Sequence, residues 1–227
     1  MYKAQQMESL ALTPDAAIAL CARRARAVAE VYRSRVVVGI AGGPGVGKST
    51  MAAALVERLN LEKPGIAALV PMDGFHIRHD RLVALGRDNE KGAPETFEAA
   101  AFVAALDRLR TARESMFIPG YSRAIEDVVE NAHEVPAAAR ILVVEGNYLL
   151  LAEPPWGQLR RLIELAVFLD VPRDMVRARL LRRHAEHGLF TPERIVRHVD
   201  NVDLPNYDRV APSRARADLG IDLVTES

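Results

Sequence analysis

Eight residues, Gly42, Gly43, Pro44, Gly45, Val46, Gly47, Lys48 and Ser49, read G-x-x-x-x-G-K-S, with Thr50 next. Glycines carry no Cβ, so successive backbone N–H groups can turn inward around an anion. A helix opening near Lys48 would aim its positive end at the same point. Lys48 then adds a full charge over the outer phosphates from an exposed place at the mouth of the cradle. The Ser49 hydroxyl is placed for Mg²⁺, and Thr50 is a neighbouring phosphate donor. The rival reading is a glycine-rich turn with an incidental lysine. A β-branched run before the loop and a helical pattern after it disfavour that rival. The pattern therefore asks for a nucleoside triphosphate, ATP, with Mg²⁺.

Two acids could complete the chemistry. Glu145 closes the apolar run ILVVEG, where a carboxylate holding Mg²⁺, directly or through water, belongs in a phosphate-loop protein. Asp73, in PMDGFH, ends a second run, and a carboxylate there can orient or deprotonate an attacking hydroxyl. Arg177, Arg179, Arg182 and Arg183 lie on one predicted helix, the last three at neighbouring surface positions. Such cations can close over a transferring phosphoryl group, and a solvated helix face is the alternative. For the acceptor the polar residues of two irregular stretches stand out: His76, Lys91, Tyr121 and Arg123, with Asn147 directly after Gly146. Arg78, His79 and Arg81 cluster near them. His76 and His79 lack a third ligand at useful spacing, so a metal pair is disfavoured. Asn201, Asp203 and Asn206 are candidates for the nucleotide base, although their spacing says little.

These residues need a scaffold. Thr13, Pro14 and Asp15 open a helical pattern to about Arg33 with a cap, a first-turn proline and a first-turn acid. RVVVGIAG, IAALVPMD, ILVVEG and LAVFLD are short apolar runs without alternation, as expected of strands buried on both faces. Helical stretches at 48–59, 95–112 and 174–186 lie between or after them. Strand and helix in alternation predict a parallel sheet with helices on both faces, and ligands outside the carboxyl ends of its strands. DLGIDLV is expected as an edge strand. Asp170 with Pro172 reads as a helix start. Residues 73–97 and 119–139 are rich in charge and turn residues and are expected to be long irregular segments.

The motifs AGGPGVGKST, PMDGFH, KGAPETF, PGYSR, VVEGNYLLL and RARLLRRH resemble, in order, those of the kinase superfamily that includes phosphoribulokinase, uridine kinase and bacterial pantothenate kinase. NVDLPN is similar to a narrower group, described as fructose-transport-system kinases and nucleoside/nucleotide-kinase-like proteins. The resemblance spans Gly39 to about His184 and extends towards Asn206. It implies a P-loop NTPase fold, a three-layer α/β/α sandwich with a parallel core sheet, and ATP-dependent phosphorylation of a small-molecule hydroxyl. It also implies Asp73 as catalytic base, Lys48 and Ser49 on phosphate and metal, Glu145 near the metal or acceptor, and Arg182 and Arg183 in a lid. Gly-Phe-His after Asp73 departs from uridine kinase, and pantothenate kinases share Asp-Gly-Phe but not His76. The acceptor is thus left open among a sugar, a nucleoside and a vitamin precursor.

The bulk properties agree. A chain of 227 residues, about half of them apolar, suits one domain with a sizeable core, taken as 1–227 with a lid near 177–190. Thirty basic and thirty acidic side chains cancel, so no nucleic-acid partner is expected. No apolar run is long enough for membrane insertion and the N-terminal residues do not resemble a signal peptide, which suits a cytoplasmic protein. The lone Cys21 reads as a buried small hydrophobe. The oligomeric state is open, a homodimer included. Two rivals stand beside the kinase. A GTPase would need an N-K-x-D string, which is missing. A nucleotide-binding accessory protein of a transport system, with weak or no catalysis, is harder to reconcile with Asp73.

Overall fold

The structure is a computed structural model, in which residues 7–188 and 191–224 are described. Both ends of the 1–227 span, and residues 189 and 190 at the far end of the expected lid, lie outside the described residues. Six strands form one parallel sheet: β1 (Glu8–Leu12), β2 (Val36–Ala41), β3 (Ala67–Pro71), β6 (Ile141–Gly146), β7 (Leu165–Asp170) and β8 (Leu219–Leu223). Their order is β1-β8-β7-β2-β6-β3. A separate antiparallel hairpin joins β4 (Met116–Ser122) to β5 (Asp127–Val135).

The unalternating runs are explained by burial on both sides. In β2 every residue is buried. Val36, Val38 and Ile40 pack on one side with α1 (Pro14–Val31) and α2 (Lys48–Glu62). Val37 and Ala41 face the other side, where α4 (Ala99–Thr111) and the segment from Tyr148 to Leu162 supply Phe102, Leu106, Tyr148 and Trp156. Side chains on a strand alternate between faces, so a strand covered twice must be apolar throughout. The result is a three-layer α/β/α sandwich with a parallel core sheet. α5 (Arg173–His187) and α6 (Pro192–His198) lie on the α1–α2 side, through Val176, Leu180 and Ile195.

Local signals in the sequence set the element ends. The Thr13 hydroxyl accepts a hydrogen bond from the Ala16 amide, and Pro14 follows at the first turn. Cys21 is buried within α1. Gly188 ends α5 with a left-handed backbone, φ 64°, as a C-terminal glycine commonly does.

Four expectations need correction. Residues 119–139 are not irregular: most lie in the β4–β5 hairpin. β8 is not an edge strand, because β1 pairs parallel to it and takes the edge. The helix expected from Glu95 begins at Ala99, after a 3₁₀ turn over Pro94–Thr96. Asp73 lies beyond the strand, in a 3₁₀ turn over Met72–Phe75. Asp170 is structural as expected, but by another route: Pro172 caps α5, and the Asp170 carboxylate accepts from the Val171 amide and the Tyr207 hydroxyl.

The turn bearing Asp73 is wedged against the hairpin. A Cβ added to Gly74 would overlap the Pro119 carbonyl oxygen and lie 2.5 Å from its carbon. Both are backbone atoms that cannot swing aside. Gly74→Ala should therefore destabilise the protein by about 1–3 kcal/mol. Thermal unfolding would check this, and an unchanged midpoint would show that the turn and hairpin are not in register as described.

Candidate active site

The sheet register brings the chemistry together. Glu145 is level with Ile40 on β2 and with Pro71 on β3. The phosphate loop follows β2, and Asp73 lies two residues beyond Pro71. Three parallel strands thus deliver a glycine loop, a carboxylate and a second carboxylate to one end of the sheet, where ligands bind in such folds.

The loop has the backbone its glycines foretell. Gly42, Gly45 and Gly47 have φ of 148°, 77° and 101°, values that side chains disfavour. Gly43 is glycine for a different reason: a Cβ there would sit 2.5 Å from the Tyr207 ring. Tyr207 is itself held, its hydroxyl donating to Asp170 at 2.8 Å and to the Val171 carbonyl at 3.0 Å. Lys48 is not exposed, as the sequence led one to expect; it is 7% exposed, and its Nζ donates to the Gly43 carbonyl at 2.8 Å.

Two cavities meet at this loop and share Gly45, Lys48, Ser49, Arg123 and Arg183. The first, about 820 Å³, runs from Gly45–Met51 to an apolar end made of Pro14, Ile18, Leu223 and Val224. Arg179, Arg182 and Arg183 line it. The second, about 830 Å³, holds Asp73, His76, Lys91, Tyr121, Glu145 and Asn147. His76, His79, Lys91, Tyr121, Arg123, Glu145 and Asn147 are therefore in one crevice, whereas Arg78 and Arg81 line neither cavity and pair with Glu130 and Glu98. Asn201, Asp203 and Asn206 are in it too, rather than at the apolar end of the first cavity.

Several of these side chains are already organised. His76 lies between Phe97 and Tyr121, at ring separations of 3.9 and 4.7 Å, and its Nδ1 is 2.7 Å from the Asp73 carbonyl oxygen. Burial holds its pKa below the ordinary histidine value, which favours the neutral ring. The Lys91 ammonium sits 5.1 Å over the Tyr121 ring and donates to the Glu126 carbonyl. The Tyr121 hydroxyl donates to the Glu126 carboxylate at 3.0 Å. The hairpin that carries Tyr121, Arg123 and Glu126 was not visible as a hairpin in the sequence.

The arginines separate. Arg177 makes two hydrogen bonds to Asp200, at 2.8 and 3.0 Å, and lines neither cavity. Arg182 is largely exposed, with Glu186 3.9 Å away. Arg183 faces both cavities, its Nε is buried without a partner, and burial lowers its pKa, with Arg123 adding to the effect.

Glu145 and Lys48 are the electrostatic centre. Glu145 is 4% exposed, and burial followed by the Asp73 charge pushes its carboxyl up to about 7. Burial pulls Lys48 down to about 8 against the attraction of Glu145 and Asp73. The Ser49 hydroxyl donates to Glu145. A buried acid, a half-buried one and a hydroxyl are a donor set that suits a hard divalent cation such as Mg²⁺. A carboxyl whose folded pKa lies above its unfolded value holds its proton more tightly when folded. The stability this confers is full below about 4.5 and is lost as pH rises through about 7. Protein free of nucleotide and Mg²⁺ should therefore lose stability across that window, and Glu145→Gln should flatten the loss. Melting curves at stepped pH would show it; parallel curves for the two proteins would refute the assignment.

The chain is similar to known proteins along most of its length. The model of the phosphoribulokinase / uridine kinase family matches residues 37–227. A Schizosaccharomyces pombe protein named as a candidate uridine kinase is 36% identical over 197 residues, 83% of this chain and 83% of that one. Escherichia coli K12 YggC is 34% identical over 195 residues, 85% of this chain and 79% of that one. A crystal structure from Silicibacter sp. TM1040, named as a candidate fructose transport system kinase, superposes with a TM-score of 0.80 at 32% identity, covering 92% of this chain and 98% of that one. With its glycine loop, its parallel sheet and these relatives, the chain belongs to the phosphoribulokinase / uridine kinase family of P-loop kinases.

Proposed function

We propose that this protein transfers the γ-phosphoryl group of ATP to a hydroxyl of a small molecule, with Mg²⁺ held by Ser49 and Glu145. The observation that carries the reading is the convergence of Lys48, Asp73 and Glu145 where two cavities join. One cavity has an apolar end suited to a nucleotide base. The other is polar and large enough for a sugar, a nucleoside or a vitamin precursor.

Each residue has a task. The loop amides, with Thr50, bind the β- and γ-phosphates, and Lys48 leaves the Gly43 carbonyl to neutralise them. Mg²⁺, when bound, supplies charge neutralisation between the phosphates. Asp73 orients the acceptor hydroxyl and takes its proton. Arg123 and Arg183, at the junction of the cavities, meet charge that spreads over the transferring group, and Arg179 lies along the phosphates. His76, Lys91, Tyr121 and Asn147 position the acceptor. Arg182 serves from the rim, as part of a lid that closes over ATP and excludes water.

An ATP-consumption screen over small alcohols tests the whole reading. Asp73→Asn should leave ATP binding nearly intact and lower kcat by roughly 10²–10⁴-fold. A kcat within about threefold of wild type would remove Asp73 from the base role. No turnover of any alcohol, with a stoichiometric protein partner recovered instead, would favour the accessory-protein reading. The arginines give a second test. Arg183→Ala should lower kcat more than it weakens ATP binding, because the charge it meets grows in the transition state. Arg177→Ala should do much less, since Asp200 already occupies that guanidinium. Equal effects would reduce the cluster to a helix face.

A further inference from the structure

The acceptor cavity has a wall that the phosphoryl chemistry does not use. His184 near the end of α5, His198 at the end of α6, and Asp203 come together there. Their donor atoms all lie within 4.8 Å of one another. His184 Nε2 is 2.9 Å from an Asp203 oxygen, and the two imidazoles meet edge-on at 5.4 Å. Asp203 is 8% exposed. A π-helical turn over Val199–Asp203 separates His198 from Asp203. Such turns insert an extra residue, re-aim side chains and are frequent at functional sites.

We propose that His184, His198 and Asp203 form a binding site for a first-row transition-metal ion, zinc by preference, with its open coordination facing the acceptor cavity. The donor set, two imidazoles and a carboxylate, is the kind that binds zinc while leaving a position free. Zinc bonds of about 2.0–2.2 Å place tetrahedral donors roughly 3.3–3.5 Å apart. The close pair must open slightly and the third donor must move in, adjustments within reach of side-chain rotation. Mg²⁺ is a poor fit, because it favours oxygen donors in octahedral array. This ion is therefore separate from the one at Ser49 and Glu145. Its free face would take an oxygen of whatever occupies the cavity.

The test is equilibrium dialysis of the full-length protein against zinc, with excess Mg²⁺ and a non-hydrolysable ATP analogue filling the phosphate-loop site. Wild type should retain one zinc per chain and unfold at a higher temperature with zinc than without. His198→Ala and Asp203→Asn should each weaken retention by at least ~10²-fold, beyond the ~10–100-fold usual for residues that only support a ligand. His79→Ala, on another element lining the same cavity, should leave retention unchanged. Unfolding of the metal-free variants separates lost binding from lost folding. If Asp203→Asn does not fold, His198→Gln, at a half-buried position, decides. Wild type that retains no zinc, or retention equal in wild type and the His198 variant, overturns the proposal.

Discussion

The site depends on keeping opposite charges buried at the carboxyl ends of parallel strands. Lys48 and Glu145 are both almost without solvent. Each would shed its charge if it were alone there. Each favours the charged form of the other, while the Asp73 charge favours that of Lys48 and opposes that of Glu145. Almost everything around them follows from that. The loop must be glycine-rich so that its amides, rather than water, face the lysine. The strands β2, β6 and β3 must be in register so that one acid stands level with the loop and the other just beyond it. The strands must be apolar on both faces so that the sheet can be covered and the charges kept dry.

The same arrangement explains why the acceptor side draws on several separate pieces of chain. Phosphate recognition is done by backbone amides and needs only a loop and a helix start. Acceptor recognition needs side chains of several kinds facing one space. The hairpin supplies Tyr121 and Arg123, the turn after β3 supplies His76, α5 supplies His184 and the segment past it supplies Asn206. The aromatic contacts among His76, Phe97 and Tyr121 tie two of these pieces together before anything binds. Polar groups fixed in advance need less ordering on binding.

Much of this was legible in the sequence, for reasons that can be stated. The four core strands stood out because double burial removes alternation, and the phosphate loop because its glycines and lysine have few other uses in that order. The hairpin was missed because its signals conflict. Pro119 and Gly120 interrupt β4, while Asn131 in β5 takes a positive φ of 53°, and most of β5 is solvent-facing and polar. β1 was missed because five residues, mostly exposed, carry no hydrophobic pattern; it is a strand only because β8 offers it an open edge. The depth of Lys48 was misjudged because exposure depends on what covers the loop, and that cover comes from residues far along the chain. Nor could spacing show that His198 and Asp203 approach His184, since the approach depends on a π-helical turn.

The pairing of β1 with β8 bears on synthesis as well as on shape. Arg214 reaches back across 205 residues to the Ser9 hydroxyl, and the apolar end of the nucleotide cavity draws on both Pro14 and Val224. A chain emerging from the ribosome presents the glycine loop early but cannot close the first cavity until β8 has been made and docked. Loop, acids and lysine would therefore wait, assembled in part, for the last piece of sheet. Contacts of such long range are slow to form. A nascent chain stalled before residue 219 would therefore have a phosphate loop without the Leu223 and Val224 wall of the first cavity.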